Sequence, residues 1–394
     1  MFVQGYIPGP AAHTSEGEHA ALLSETEMVR CADRSNFKFA WLTEHHALTE
    51  YSHLSASDVF AGYLAAATER IHIGSGIFNV SPRVNHPVRN AERVAMLDHL
   101  TGRRFEFGTG RGAGSHEVGT FNIHDPSSTR AEYDDVIHEF VRMWEQRDYT
   151  YQGAHWSLDV PHNVLPKPYA PGHPAIWVAC GNPATFRKAG DLGIGVLAFT
   201  FDSPAGLRER AEVYKQAVAD CTNPVGQFTN DNLMMTTLVY CAATRDRARQ
   251  QALAPGTGYI STLVRLYHDS FAGMTGLRWP HPPEPRSEEG LDAAIEGGYL
   301  FCGAPEDICE QLAACLRNGA LVDQFVLATA MEISVEERLE MIELVGKQVI
   351  PEFDTDPTIS TDRHRARAVP KFGPYAKEPP PLRTIWTDPT DPVP

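Results

Sequence analysis

The sequence predicts an α/β chain folded as a (β/α)8 TIM barrel, with insertions after strands 4 and 7 and an extended Pro-rich C-terminal arm. Three observations predict it. Eight short apolar, β-branched or aromatic runs recur along the chain, and each is followed by a helix-like segment. The length, 394 residues, lies within the range of such barrels with insertions. The turns that carry the most distinctive chemistry follow the second, fourth and fifth runs, and a barrel opens all of these onto one rim.

The strands are expected at 2–7, 39–43, 71–76, 105–110, 176–180, 195–199, 234–241 and 324–328. Helices are expected at 19–34, 57–69, 88–100, 130–146, 183–190, 203–220, 305–318 and 334–349. The last has the fullest start signal: Ser334 and Glu337 form a capping box, and Val335, Leu339, Ile342 and Val349 mark one apolar face. Pro305 stands where a first helical turn tolerates proline. Two gaps between strands are long. The first holds an aromatic-rich excursion, YTYQGAHWSLDVPHNVLPKPYAPGHP; the second holds a Pro/Gly/charge-rich stretch near 273–298, a candidate lid. Residues 1–350 are therefore read as the barrel and 351–394 as a Pro-rich extension, with Phe372, Tyr375, Ile385 and Trp386 as apolar anchors for the barrel or a second subunit.

Composition excludes several classes. Hydrophobic residues are 42% and charged residues 21%, which supports a buried core. The net charge of −16 repels phosphate backbones and anionic membranes, so neither nucleic acid nor membrane is an expected partner. No apolar run approaches a membrane span, and MFVQGYIPGPAAH lacks the basic start and apolar stretch of a signal peptide. Seven cysteines without a C-x-x-C pair fit a reduced, cytoplasmic protein better than a disulfide framework or a zinc site.

The second strand ends in WLTEHH. Alternation lets only one of His45 and His46 point squarely into a barrel mouth, where an imidazole suits general acid–base work. The bland alternative is two histidines bonded to backbone or to Glu44. After the fourth strand, Gly108, Gly110 and Ala113 match G-x-G-x-x-A, a dinucleotide fingerprint, but not at the opening of a first β-α-β unit. The stronger reading is a glycine-flanked arginine, with Gly110 and Gly112 letting a ligand approach and Arg111 gripping a phosphate; a structural salt bridge is the alternative. Arg130, opening the next helix, is a second candidate cation or an ordinary solvated arginine. After the fifth strand, Asn182 and Pro183 begin a helix, and Gly181, Asn182 and Thr185 are candidates for an anion cradle at its N-terminus.

E-H-H at 44–46, HPVRNAERVAMLDHLTGRRF at 86–105, GTGRG at 108–112 and VDQFVL at 322–327 together resemble the bacterial luciferase-like flavin-dependent monooxygenases, from about residue 2 to 353. The resemblance implies a TIM barrel that binds reduced FMN or, in some branches, F420. It implies oxygen transfer to a small organic substrate through a flavin hydroperoxide, and a homodimer paired through helices of the first half. A separate flavin reductase is implied as well, since no convincing NAD(P)H fingerprint is present. His45 then matches the catalytic histidine, Phe78 and Asn79 the non-prolyl cis peptide beneath the flavin ring, and Arg111, Arg130 and Thr185 phosphate contacts. Trp41, Phe78 and Phe199 are candidate pocket walls, with core packing the stronger reading for most of them. Gly110 stands where luciferase has a reactive cysteine and Gly181 where it has a glutamate, which argues against light emission from a long-chain aldehyde. An F420-dependent oxidoreductase, a non-catalytic flavin-binding protein and an NAD-dependent dehydrogenase are the competing readings.

Overall fold

The eight expected strands close into one parallel ring. A computed structural model describes residues 1–7, 14–48, 52–112, 115–199, 203–254, 287–329 and 333–372. The ring runs β1 (Phe2–Val3), β2 (Phe39–Leu42), β3 (His72–Ser75), β5 (Phe105–Gly110), β8 (Ile176–Ala179), β9 (Gly195–Ala198), β10 (Leu233–Cys241) and β12 (Gln324–Thr329), and β12 pairs back onto β1. Strand β4 (Phe78–Asn79) continues the pairing of β3 along β5, and β11 (Leu300–Gly303) extends the free edge of β10 beyond β9.

The helices outside the ring are α1 (Ser15–Arg34), α2 (Ser57–Ala67), α3 (Pro87–Leu100), α4 (Ser115–Gly119), α5 (Thr129–Ile137), α6 (Glu139–Glu145), α7 (Pro183–Asp191), α8 (Pro204–Asp220) and α9 (Arg245–Ala252). After them come α10 (Glu288–Glu296), α11 (Pro305–Arg317), α12 (Val335–Leu344), α13 (Ile350–Phe353) and α14 (Ser360–Arg365). The Ser334–Glu337 box caps α12 in both directions, at 2.9 and 3.2 Å. The helix expected at 130–146 is two helices, joined at His138.

The short strands β4, β6, β7 and β11 and the helices α4, α9 and α10 are absent from the expected elements. The aromatic excursion is an antiparallel hairpin, β6 (Tyr149–Gln152) with β7 (Ser157–His162). Its alternation is masked because one face carries Tyr149 and Tyr151 against Trp156 while β7 is largely exposed. Strand β11 is Leu300–Gly303, inside the long gap between the seventh and eighth expected strands.

Two tryptophans fill the barrel's interior. Trp41 and Trp177 meet edge to face at 5.1 Å, and both are fully buried. A Cβ on Gly74 would lie 2.3 Å from the Trp41 ring, and one on Gly195 would lie 2.3 Å from Trp177. Small residues on β3 and β9 thus make room for large ones on β2 and β8. Trp41 is core, not a pocket wall.

The first part of the proline-rich extension closes the N-terminal end of the barrel. Ile359 joins the interior cluster. The buried Arg365 forks onto the fully buried Asp98 through two 2.7 Å hydrogen bonds. Thr361 donates to Glu106 at 2.5 Å, and Ser360 donates to Asn232 at 2.9 Å. These residues form a helix and a plug instead of an extended strand. Phe372 is anchored through its backbone N–H, which donates to Glu145 at 2.6 Å. Tyr375, Ile385 and Trp386, residues 273–286 of the expected lid, and Ala113 lie outside the described residues.

Candidate active site

The C-terminal end of β2 places His45 against a buried carboxylate. Its Nδ1 lies 3.1 Å from Glu117 Oε2, and Glu117 is only 3% exposed. Glu117 belongs to α4, directly after the loop that carries Arg111. With the carboxylate oxygen as acceptor, Nδ1 is the donor in this contact and Nε2 is the ring nitrogen turned away from Glu117. His46 takes a different partner. Its ring meets Phe121 edge to face at 5.0 Å, and its Nε2 is 3.6 Å from Glu44. Burial lowers the His46 pKa, but Glu44 and the Glu117 charge outweigh it and hold it above the usual value. Glu44 also accepts from Ser57 Oγ at 2.6 Å, which ties the motif to the start of α2.

The turn between β3 and β4 holds a non-prolyl cis peptide at Gly76–Ile77, not at Phe78–Asn79. Phe78 and Asn79 are extended residues paired with Thr109 and Gly110, and this ladder fixes them. Gly76 has little room for a side chain: a Cβ there would sit 3.0 Å from Phe199 and 3.3 Å from the Leu42 carbonyl. Phe78 faces the helices. Its ring packs near Phe105 and Phe107, with the Arg93 guanidinium 5.1 Å above it, so it does not wall the mouth. The peptide groups of Asn79 are held on both sides. Its N–H donates to Glu44, and its carbonyl accepts from Asn85 and Asn90 at 3.0 and 3.2 Å.

The glycine run after β5 is consumed by chain packing. A Cβ on Gly108 would fall 1.9 Å from the Ser75 carbonyl, and one on Gly110 would fall 2.6 Å from Ile77. Gly112 has φ +78°, and a Cβ there would meet the Asn79 amide at 2.8 Å. Among the described residues of this run, the three glycines are taken up by chain packing, which argues against a dinucleotide cradle here.

The cations gather where β5 and β8 end side by side. Arg111 donates to Thr129 Oγ1 at 2.8 Å and to the Pro126 carbonyl at 3.3 Å. Lys188, on α7, stands 5.1 Å over the Tyr133 ring and pairs with Asp134. Its pKa is lowered by burial and by the positive charge of Arg111, which places the two cations in one field. Arg130, beside Thr129, is solvent-exposed and is not drawn into this group by any described contact. Asn182 caps α7: its Oδ1 accepts from the Thr185 N–H and from the Thr185 hydroxyl, each at 3.1 Å. Open space surrounds Gly181, where an added Cβ would meet nothing within 4 Å.

Sequence reasoning missed Glu117 and Lys188. Lys188 had a signal, since it follows Thr185 by three residues and shares its helix face. Glu117 had none beyond being a carboxylate shortly after Arg111.

Comparison with known proteins agrees with the fold. A family model described as luciferase-like monooxygenase matches residues 6–323. Limonene 1,2-monooxygenase of Rhodococcus erythropolis is 25% identical over 353 residues, covering 89% of this chain and 87% of that one. Monooxygenase RslO1 of Streptomyces bottropensis superposes with a TM-score of 0.72 at 19% identity, over 90% of this chain and 99% of that one. The oxygenating constituent of 3,6-diketocamphane monooxygenase from Pseudomonas putida, solved with FMN, gives 0.70 at 17% identity, over 85% of this chain and 93% of that one.

Proposed function

Because the chain belongs to the luciferase-like monooxygenase family, we propose that it is an FMNH2-dependent monooxygenase that adds one atom of O2 to a small apolar organic substrate. One observation carries this reading. The cations Arg111 and Lys188 gather on the rim that also bears the His45–Glu117 pair, and only six positions of chain separate Arg111 from Glu117.

The residues fit a flavin phosphate. Arg111 offers a guanidinium, Lys188 a second charge, and the positive end of α7 lies beside the open Gly181. Reduced flavin, when bound, supplies the electrons that activate oxygen. His45 moves the proton. With Nδ1 held by Glu117, Nε2 is the nitrogen that takes or returns it. Leu48, Ile77 and Phe199 are half-buried, pack against the interior cluster, and present apolar surface that keeps water from the site.

The proposal includes reduced flavin delivered by a separate reductase, a cytoplasmic location and a homodimer. The seven cysteines, all free thiols, support the location. Exposed apolar residues on α2 and α3 support the dimer.

The test is a titration of purified protein with FMN and with F420, followed by turnover with a flavin reductase, NADH, oxygen and a panel of small terpenes and ketones. FMN binding and oxygen incorporation into a panel member are expected. Failure to bind FMN overturns the reading, and F420 binding in its place moves the chain to the F420-dependent oxidoreductases.

A further inference from the structure

Gln4 carries a buried acceptor that no group among the described residues satisfies. The residue is 1% exposed. Its Nε2 donates to the Thr329 carbonyl at 3.2 Å, while Oε1 has no partner. The amide cannot be reversed, since that would set its oxygen against the Thr329 oxygen. Its own carbonyl is engaged, accepting from Thr43 Oγ1 at 2.9 Å.

The acceptor lies inside the mouth of the barrel. Phe2 of β1 belongs to the interior cluster, so alternation turns Gln4, two residues on, inward as well. Val3 pairs with Leu42, and Leu42 with Ser75. One residue further along these strands, Gln4, Thr43 and Gly76 form the next layer. That layer carries the Gly76–Ile77 peptide, and it stands beside the strand end that bears His45. The half-buried Leu48, Ile77 and Phe199, packed on the same interior cluster as Phe2, are apolar. Native proteins leave few buried acceptors unpaired, and an unpaired one at a site mouth calls for a ligand donor.

Resting on the flavin reading of this mouth, we propose that Gln4 Oε1 receives a hydrogen bond from a neutral N–H or O–H group on the molecule held there. A neutral amide among apolar side chains does not compensate a buried charge, so the donor is uncharged. Two sources share this chemistry: a hydroxyl or amide of an otherwise apolar substrate, and the ring N–H of a flavin.

The experiment uses the full chain, wild type and Gln4→Met, with FMN, limonene and perillyl alcohol as probes. Limonene and perillyl alcohol share a carbon skeleton and differ by the hydroxyl. Binding of each terpene is followed by tryptophan fluorescence on the protein as purified, and FMN binding by titration. If the substrate is the source, wild type prefers the alcohol by about tenfold, the scale of one net hydrogen bond, and Gln4→Met abolishes the preference. If the flavin is the source, Gln4→Met weakens FMN binding by about the same factor. Absence of any wild-type preference for the alcohol, together with unchanged FMN affinity in the variant, overturns the assignment. The preference is read on wild type alone and stands even if the variant does not fold. Failure of wild type to bind FMN is a separate result: it removes the flavin reading and leaves the terpene comparison intact.

Discussion

His45 Nδ1 and Glu117 Oε2 lie 3.1 Å apart although 72 positions separate the two residues in sequence. The pair joins the end of β2 to the short helix after β5, so a change in either loop disturbs the imidazole. On the proposed role of His45 as proton carrier, His45→Ala is expected to lower turnover by about 10²–10⁴-fold. Glu117→Gln keeps the shape but lets the ring take the other tautomer. It is expected to lower kcat by at least about tenfold and to alter the pH profile of kcat, with FMN affinity held within about threefold. Steady-state kinetics from pH 5.5 to 9 decide it; an unchanged profile in Glu117→Gln denies the carboxylate an orienting role.

The Arg111–Lys188 field predicts discrimination by the phosphate. Riboflavin has the same ring as FMN and no phosphate. Arg111→Ala is expected to weaken FMN binding by about 10–100-fold, the range for a hydrogen bond to a charged group, and to leave riboflavin binding unchanged. Lys188→Ala does the same to a smaller degree, because Asp134 already shares its charge. Fluorescence titration of both ligands reads the ratio. Equal losses for FMN and riboflavin would place these cations away from the phosphate.

The barrel, unlike much of its site chemistry, was legible in the sequence. Each of the eight ring strands falls on one of the expected apolar, β-branched or aromatic runs, and sequential strands are neighbours around the ring. The plug at the N-terminal end was hidden by composition. A segment rich in proline reads as extended, yet Ile359 and the Arg365–Asp98 fork supply the burial and the paired charge that hold it. The cis peptide was placed two residues late, because no sequence signal distinguishes Gly76 before the ladder of β4 is known. Partners such as Glu117 come from another loop, and sequence spacing carries no information about them.

His72 gives this plug a pH dependence. The imidazole is 2.8 Å from Glu106 and 3.5 Å from Asp362 of α14. Burial opposes its charge, but the hydrogen bonds and charges of Asp362 and Glu106 outweigh burial and push the pKa up to about 9. A group raised in the folded state stabilises it fully below its unfolded value of 6.5, and this contribution is lost as pH rises through about 9. Urea midpoints of wild type are therefore expected to fall between pH 6.5 and 9.5 by an amount worth up to about 3 kcal/mol. His72→Gln is expected to flatten that slope, and Asp362→Asn to flatten it in part. Identical slopes in wild type and His72→Gln would show that the imidazole does not carry the dependence.

The outer face of α2 and α3 predicts the assembly state. Val59 and Tyr63 on α2 are 70% and 56% exposed, and Met96 and Leu100 on α3 are 48% and 58% exposed. Each pair is spaced by four residues, so each forms a stripe, and the two helices pack side by side. Exposed apolar stripes on two adjacent helices suit an interface between copies of the chain. Behind it, Arg93 links Asp58 of α2 to Asn90 of α3, and Asn90 donates to the Asn79 carbonyl at the site. Light scattering is expected to give twice the 43.5 kDa chain mass for wild type. A Val59→Glu, Met96→Glu double variant is expected to run at the single mass with a folded circular dichroism spectrum. If pairing braces Asn79 through Asn90, the monomeric variant also binds FMN several-fold more weakly; full FMN affinity in the monomer would separate assembly from the site.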